Sequence, residues 1–368
     1  MLKGNDILKG IYKGFCNSVL PAIITIALAF GVSALLLFAS GHNPAEAFLT
    51  LITSAFGSPS RLAEVLVKTA PLMVMALGIS IAFKSQIWNI GGDGQFTLGA
   101  VFAAFVALNL NLPASIVLPV SFLAAFLGGA LWGGLAGYLR AKFNANEVIT
   151  TLMLNYIATY LLSWLIRYPM IDPKGQGFPQ TPLIDKLYRL PIILSGTRLH
   201  VGIIISLIII VLGYFFWRST LGLRIELVGE SEDVAKYSGI NVSKTIILTM
   251  VISAGLAGVA GWGEVVGVQY RLLDNISSGY GNLAIVIALL GNLNPFGIAI
   301  SSFFFAALMV GGNTMQLMEG IPFSLITVIQ GLVIVFVISR VVYAQWRDKV
   351  ANRRFNRRVL SQSSRGCN

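Results

Sequence analysis

The sequence predicts an all-α integral membrane protein with about ten transmembrane helices, and three observations carry that expectation. Hydrophobic residues make up 56% of the 368 residues and charged residues only 11%, whereas a water-facing domain carries about 25% charged residues. Apolar runs long enough to cross a hydrocarbon core of about 30 Å recur along the chain. No apolar/polar alternation of the barrel type interrupts them, so the spans are expected to be helices, which satisfy their own backbone groups.

The apolar runs lie at 17–39, 63–83, 95–110, 115–139, 147–167, 201–217, 244–268, 281–293, 296–313 and 321–343. The first is too long for the apolar region of a signal peptide and no convincing cleavage site follows, so it reads as a retained span. Lys3, Lys9 and Lys13 precede it, Arg340 lies near the end of the last run, and Arg347, Lys349, Arg353, Arg354, Arg357, Arg358 and Arg365 follow it. Basic residues collect on the cytoplasmic side, which predicts both termini inside and therefore an even number of crossings. Parity favours counting the short run 281–293 as a crossing, with 292–295 as its tight inner turn.

On this count the net charge of +11 reflects orientation in a membrane rather than nucleic-acid binding. Residues 1–343 form a single polytopic membrane domain and 344–368 a basic cytoplasmic tail. Residues 168–200, holding Pro169, Pro173, Pro179, Pro182 and Pro191, read as an irregular external cap. Residues 218–243 lie inside. There Ser231 is placed to N-cap a short helix with Glu232 and Asp233 in its first turn, and Gly239 to stop it. That helix is either a handle for another protein or plain surface loop.

Two glycine-rich breaks interrupt the spans. KSQIWNIGGDG (84–94) lies between spans two and three, and DNISSGYGN (274–282) between spans seven and eight. Five spans separate them, so they approach from opposite sides of the membrane, as an inverted repeat of spans 2–5 and 7–10 would produce. Such paired interruptions point to a translocation site, since non-helical backbone at membrane depth survives only beside a cavity or within protein. The plainer alternative is two polar turns. Against it, a turn has no need of Trp88, Asn89, Asp93 and Gln95 together.

In span five, Glu147, Thr151, Asn155, Thr159 and Ser163 recur every four residues, a stripe that drifts around the helix. It serves either as a polar rail, with Asn155 and Tyr156 hydrogen-bonding a small solute, or as interhelical bonding. The small-residue runs GGALWGGLAG (128–137) and GLAGVAGWGEVVG (255–267) fit close helix packing. Glu264 is the exception, because an acid within a span seeks the bundle interior or an aqueous pocket.

Several chemistries find no support. The chain has no P-loop, HExxH or GxSxG sequence; Cys16 and Cys367 lie at opposite ends, and His42 and His200 are isolated. No enzyme, metal or cofactor is expected, and the near absence of basic residues from the spans gives an ion relay little to work with. A passive conduit driven from elsewhere fits best, with an ion-coupled secondary carrier as the alternative.

WNIGGDGQFTLGA (88–100), NEVITTLMLNYIA (146–158), LGLRIELVGESEDVAKYSGINVSK (221–244), SAGLAGVAG (253–261) and GYGNLAIVIALLGNLNPFG (279–297) occur in order. Together they resemble the membrane permease of bacterial ABC importers of the ribose and branched-chain amino acid permease superfamily, most closely its nucleoside or simple-sugar branch. The resemblance implies a bacterial inner-membrane complex of two permeases (a homodimer or a paralogue heterodimer), cytoplasmic ATPases that bind the ATP, and an extracytoplasmic solute-binding lipoprotein. It implies that 230–240 is the coupling helix, with Glu230, Asp233, Ala235, Lys236, Tyr237 and Gly239 at the ATPase, and that 168–200 faces the receptor. Trp88, Asn89, Asp93, Gln95, Asn155, Tyr156 and Glu264 are the expected pathway residues. Nucleosides are the expected solute; a simple sugar or a branched-chain amino acid is the alternative.

Overall fold

The computed structural model describes residues 27–322, 324–332, 335–336 and 339. The N-terminal lysines, Cys16, the start of the first expected span, much of the tenth and the tail 344–368 lie outside the described residues. Within them the regular structure is helical, apart from two isolated bridges, Gln180 with Leu273 and Ile192 with His200.

The helices are α1 (Ala27–Ala39), α2 (Pro44–Phe56), α3 (Pro59–Lys84), α4 (Gly92–Asn109), α5 (Ala114–Phe143) and α6 (Glu147–Arg167). They continue with α7 (Gly202–Phe216), α8 (Thr220–Glu230), α9 (Glu232–Tyr237) and α10 (Val242–Glu264), which runs into a π-helical turn, Val265–Gln269. α11 (Tyr280–Leu290) and α12 (Pro295–Glu319) follow. Local chemistry sets many of the boundaries. Ser58, Asn146 and Asn241 each accept a bond from the backbone N–H three residues on, and Pro59 occupies the first position of α3, where a missing N–H costs nothing. α5 ends where Asn144 turns left-handed at φ 53°.

Among the described residues, α3, α5, α6, α10 with its π turn, and α12 are each long and apolar enough to cross a membrane, and α7 with α8 makes a sixth candidate bent by 69°. The apolar runs within the described residues are thus helices. α11, with 11 residues, rises only about 16 Å, roughly half a hydrocarbon core, so it does not cross by itself. Two helices lie where no span was expected. α2 is a short helix with Glu46 in its first turn, and α8 occupies the front of the 218–243 loop, capped by Ser219.

The chain divides into two compact units, one of residues 53–311 and one of residues up to 52 together with those from 312 on. In the larger, α4 is the central helix, packed by α5, α6, α10 and α11, while α10 also lies along α3 and α5. Glycines permit that density: a Cβ on Gly99 would overlap the Cα of Gly258, and one on Gly129 would overlap the carbonyl oxygen of Ala254. The two small-residue runs therefore pack backbone to backbone, as van der Waals association in a membrane requires. In the smaller unit, Phe30 and Phe48 meet edge to face at 5.2 Å and Thr50 donates to Glu319 at 2.8 Å.

Candidate functional site

The first break is shorter than its sequence suggested. α4 already begins at Gly92, so Asp93, Gly94 and Gln95 form its first turn rather than a loop. An acid there is favourable, because the N-terminal end of a helix is electropositive. What remains irregular is 85–91, with Gln86 at φ 57°.

Freed backbone groups in this break are taken up by side chains. Asn155 on α6 donates to the carbonyl of Ile90 at 2.9 Å and accepts from the N–H of Gly94 at 2.8 Å. Asn89 and Gln95 bond each other in both directions, at 3.0 and 2.8 Å, and Asn89 also donates to Ser253 on α10 at 2.9 Å. Both side chains are buried. Every one of these bonds satisfies a group that would cost about 1–3 kcal/mol if left bare.

The second break, expected at 274–282, lies at 270–279, because α11 already begins at Tyr280, and it is built differently. Tyr270, Asn275, Ser278 and Gly279 all have positive φ. The segment 168–200 clasps its first residues: the N–H of Thr181 donates to the carbonyl of Leu272, the N–H of Leu272 donates to Thr181 Oγ1 at 3.0 Å, and the N–H of Ile184 donates to the carbonyl of Tyr270 at 2.8 Å. The Arg189 guanidinium lies 4.4 Å from the Tyr270 ring centre, and Arg167 pairs with Asp274 at 2.6 Å.

The two breaks meet. Asp93 Oδ1 accepts from the N–H of Gly281 at 2.9 Å, and Ser277 adds a side-chain bond to the same carboxylate. A Cβ on Gly281 would lie 2.5 Å from the Asp93 nitrogen. The starts of α4 and α11 thus face one another around a single carboxylate, which both electropositive helix ends favour. The neighbouring residue of α11 is held too: Lys68 on α3 donates to Tyr280 Oη at 2.6 Å, and the Tyr280 ring meets Phe96 edge to face. α11 is therefore gripped at consecutive residues by a cation and an anion from the first half of the chain.

Of the residues singled out in the sequence, Asn89, Asp93, Gln95 and Asn155 come together here. Trp88 meets Phe83 at a tilt of 53°, with ring centres 4.8 Å apart, and is 47% exposed; Tyr156 is 61% exposed. Glu264 stands apart on α10, buried, accepting from Gln269 at 3.0 Å and within electrostatic reach of Lys68. Ser253, Ser277, Lys68 and Gly281 were not singled out. Lys68 carried a signal, a charge inside an apolar helix; the others needed the fold.

His200 closes the segment 168–200 against the π turn. Its Nδ1 accepts from the N–H of Gly202 at 3.0 Å, and a Cβ on Gly267 would overlap its ring. Burial pulls its pKa down to about 4, so it is neutral near pH 7.

On the opposite flank, α9 has the outline its residues dictated. Ser231 accepts from the N–H of Val234, Lys236 pairs with Asp233 at 3.5 Å, and Gly239 ends the turn at φ 77°. Ala235 is buried as the anchor, Glu230 closes α8, and Tyr237 is 94% exposed. Ser231 is at once the C-cap of α8 and the N-cap of α9.

With this geometry in place, a family model described as the permease component of the branched-chain amino acid transport system matches residues 61–338. The chain belongs to that family. The permease is 33% identical over 347 residues to the glucose ABC transporter permease protein TsgB13 of Haloferax volcanii, covering 91% of this chain and 90% of that protein. It is 30% identical over 349 residues to the guanosine ABC transporter permease protein NupP of Bacillus subtilis, covering 91% and 99%. The nucleoside ABC transporter permease protein NupB of Lactococcus lactis is 30% identical over 334 residues, covering 87% and 91%. A permease component is a multi-pass transport subunit and not an enzyme, which agrees with the apolar helices of the structure.

Proposed function

We propose that this permease forms the translocation pathway of an ATP-binding-cassette importer for nucleosides, with ATP hydrolysed by a separate cytoplasmic subunit. The observation that carries the reading is the junction of the two interrupted segments at Asp93 and Gly281. Interrupted helices that meet end to end are the sites where alternating-access transporters reorganise. In the full proposal the chain makes ten crossings in the cytoplasmic membrane, the eighth made by α11 together with the non-helical residues before it, with spans 2–5 and 7–10 as inverted repeats and both termini inside. It pairs with a second permease, its own copy or a paralogue, and an external solute-binding lipoprotein docks on 168–200.

Within this reading α9 is the coupling lever. Ala235 holds it to the permease while Val234 and Tyr237 stand exposed for the ATPase groove. Asn89, Asp93, Gln95 and Asn155 set the shape of the pathway wall through their mutual bonds, and Glu264 fixes its outer end beneath the external segment. Tyr156, Tyr160 and Trp164 present exposed aromatic rings along α6, faces on which a nucleobase stacks. Trp88 offers a further ring beside the first break. Two of the three relatives above are described by nucleoside substrates.

A second reading, a simple sugar, is favoured by the glucose permease at 33% identity. Reconstituting the permease with its ATPase and receptor and comparing uptake of labelled guanosine and glucose separates the two. Guanosine uptake that needs ATP, and that falls in Tyr156→Ala and Tyr160→Ala, supports the proposal. Uptake by the permease alone under an ion gradient would replace it with a secondary carrier.

A further inference from the structure

Beside the coupling lever, between α8 and the start of α10, lies a concavity with about 360 Å³ open to water. Arg224 and Lys244 both line it, and neither side chain has a partner among the described residues. Three of the acids nearby are engaged elsewhere, Glu226 with Lys84 at 3.4 Å, and Glu232 and Asp233 with Lys236, and Glu230 lines a different hollow with Arg140. No acid lines the hollow that the two cations share. Asn241, the N-cap of the 23-residue α10, and Ser238 add neutral hydrogen-bonding groups to its lining.

The apolar part of the lining is exposed as well. Leu221 and Leu248 line the same hollow beside the two cations and are substantially exposed. α8 leaves the line of the apolar α7 by 69°, which turns it away from the span. Two cations beside exposed leucines, at the end of a membrane helix, complement an amphiphile that carries a phosphate next to its acyl chains.

We propose that this concavity binds the headgroup phosphate of an anionic phospholipid of the inner leaflet, held by Arg224 and Lys244 with its acyl chains against Leu221 and Leu248. Arg224 supplies a planar fork for two phosphate oxygens and Lys244 a point charge. A lipid seated there braces the root of the lever, because the residues that link α9 to α10 line the hollow. The site does not depend on which solute the permease carries.

The test uses the full-length permease in nanodiscs of phosphatidylcholine alone or doped with phosphatidylglycerol, with retained lipid counted by native mass spectrometry. The wild type is expected to keep one phosphatidylglycerol after detergent extraction. The R224Q/K244Q double variant should lose retention by about tenfold or more, at about 1 kcal/mol per contributing cation. Lys142→Gln, a basic residue outside the hollow, should retain it. Salt raised to about 1 M should weaken retention in the wild type.

Four results would overturn the proposal. Retention may not differ between the wild type and the double variant in folded, monodisperse nanodiscs. Phosphatidylcholine may be retained equally. Inorganic phosphate in millimolar excess may displace the lipid fully, marking a free-anion site. Or retention may vanish when the ATPase binds, marking the hollow as part of that interface. Arg224→Glu is a second variant, expected to repel the lipid outright.

Discussion

The two helix breaks differ in what holds them. The first, 85–91, is tied from within the bundle by Asn89, Gln95, Asn155 and Ser253. The second, 270–279, is shaped by left-handed backbone turns and clasped by residues 180–184 and Arg189. One break is braced by side chains on α4, α6 and α10; the other follows the segment 168–200. Anything that shifts that segment acts directly on the second break and reaches the first through Asp93 and along α10.

Substitutions that separate these two modes of support test the contrast. The largest effect is expected at their meeting point. Gly281→Val drives a side chain into the Asp93 backbone and should cost about 3 kcal/mol or more, seen as a fall in unfolding temperature in detergent and loss of uptake. If Gly281→Val were neutral, the junction would not be close-packed.

Acidification should act through His200 on the segment 168–200 and the break it clasps. The folded-state pKa of His200, about 4, lies below its ordinary value of about 6.5. Below pH 6.5 the unfolded chain takes up a proton that the folded chain refuses. Stability present above pH 6.5 is therefore lost as pH falls toward 4, to a limit of about 3 kcal/mol. Hydrogen exchange should rise at 180–200 and 270–276 before it rises at 85–91, and His200→Gln should flatten the pH profile.

Asn155→Ala removes both bonds that strap Ile90 and Gly94 and should cost about 2 kcal/mol, with loosened exchange confined to the first break. Thr181→Val deletes the acceptor for the Leu272 N–H, costing about 1–2 kcal/mol, with the loosening now in the second. Arg167→Gln breaks an exposed pair with Asp274 and should change stability by less than about 0.5 kcal/mol. If Asn155→Ala and Thr181→Val loosened the same residues, the two breaks would form one cooperative unit and the contrast would fail.

Features written in neighbouring residues were legible in the sequence. Ser231, Glu232, Asp233 and Gly239 spell out α9 because capping acts over three or four positions. The glycines of WNIGGDGQ and SSGYGN mark both breaks for the same reason. The bond from Gly281 to Asp93 spans 188 residues, and that from Gly94 to Asn155 spans 61; no local pattern encodes either. The stripe on α6 illustrates this limit. Its Thr151 and Thr159 bond the carbonyls of their own helix, at 2.7 and 3.0 Å, while Asn155 reaches the first break and Glu147 pairs with Arg140 on α5 at 3.4 Å. α2 and α8 escaped a reading tuned to long apolar windows, since both are short helices carrying acids. Where α4 begins was misjudged because Asp93 and Gln95 look like loop residues, yet their backbone is already helical.

The single serine between α8 and α9 leaves the elbow no slack. With no spare residue to flex, a displacement applied at the Tyr237 tip is not taken up by a floppy joint. It travels as a turn of α8 against the bend at residues 217–219. If α9 is the lever of the proposed function, this arm works as a crank rather than as a tether.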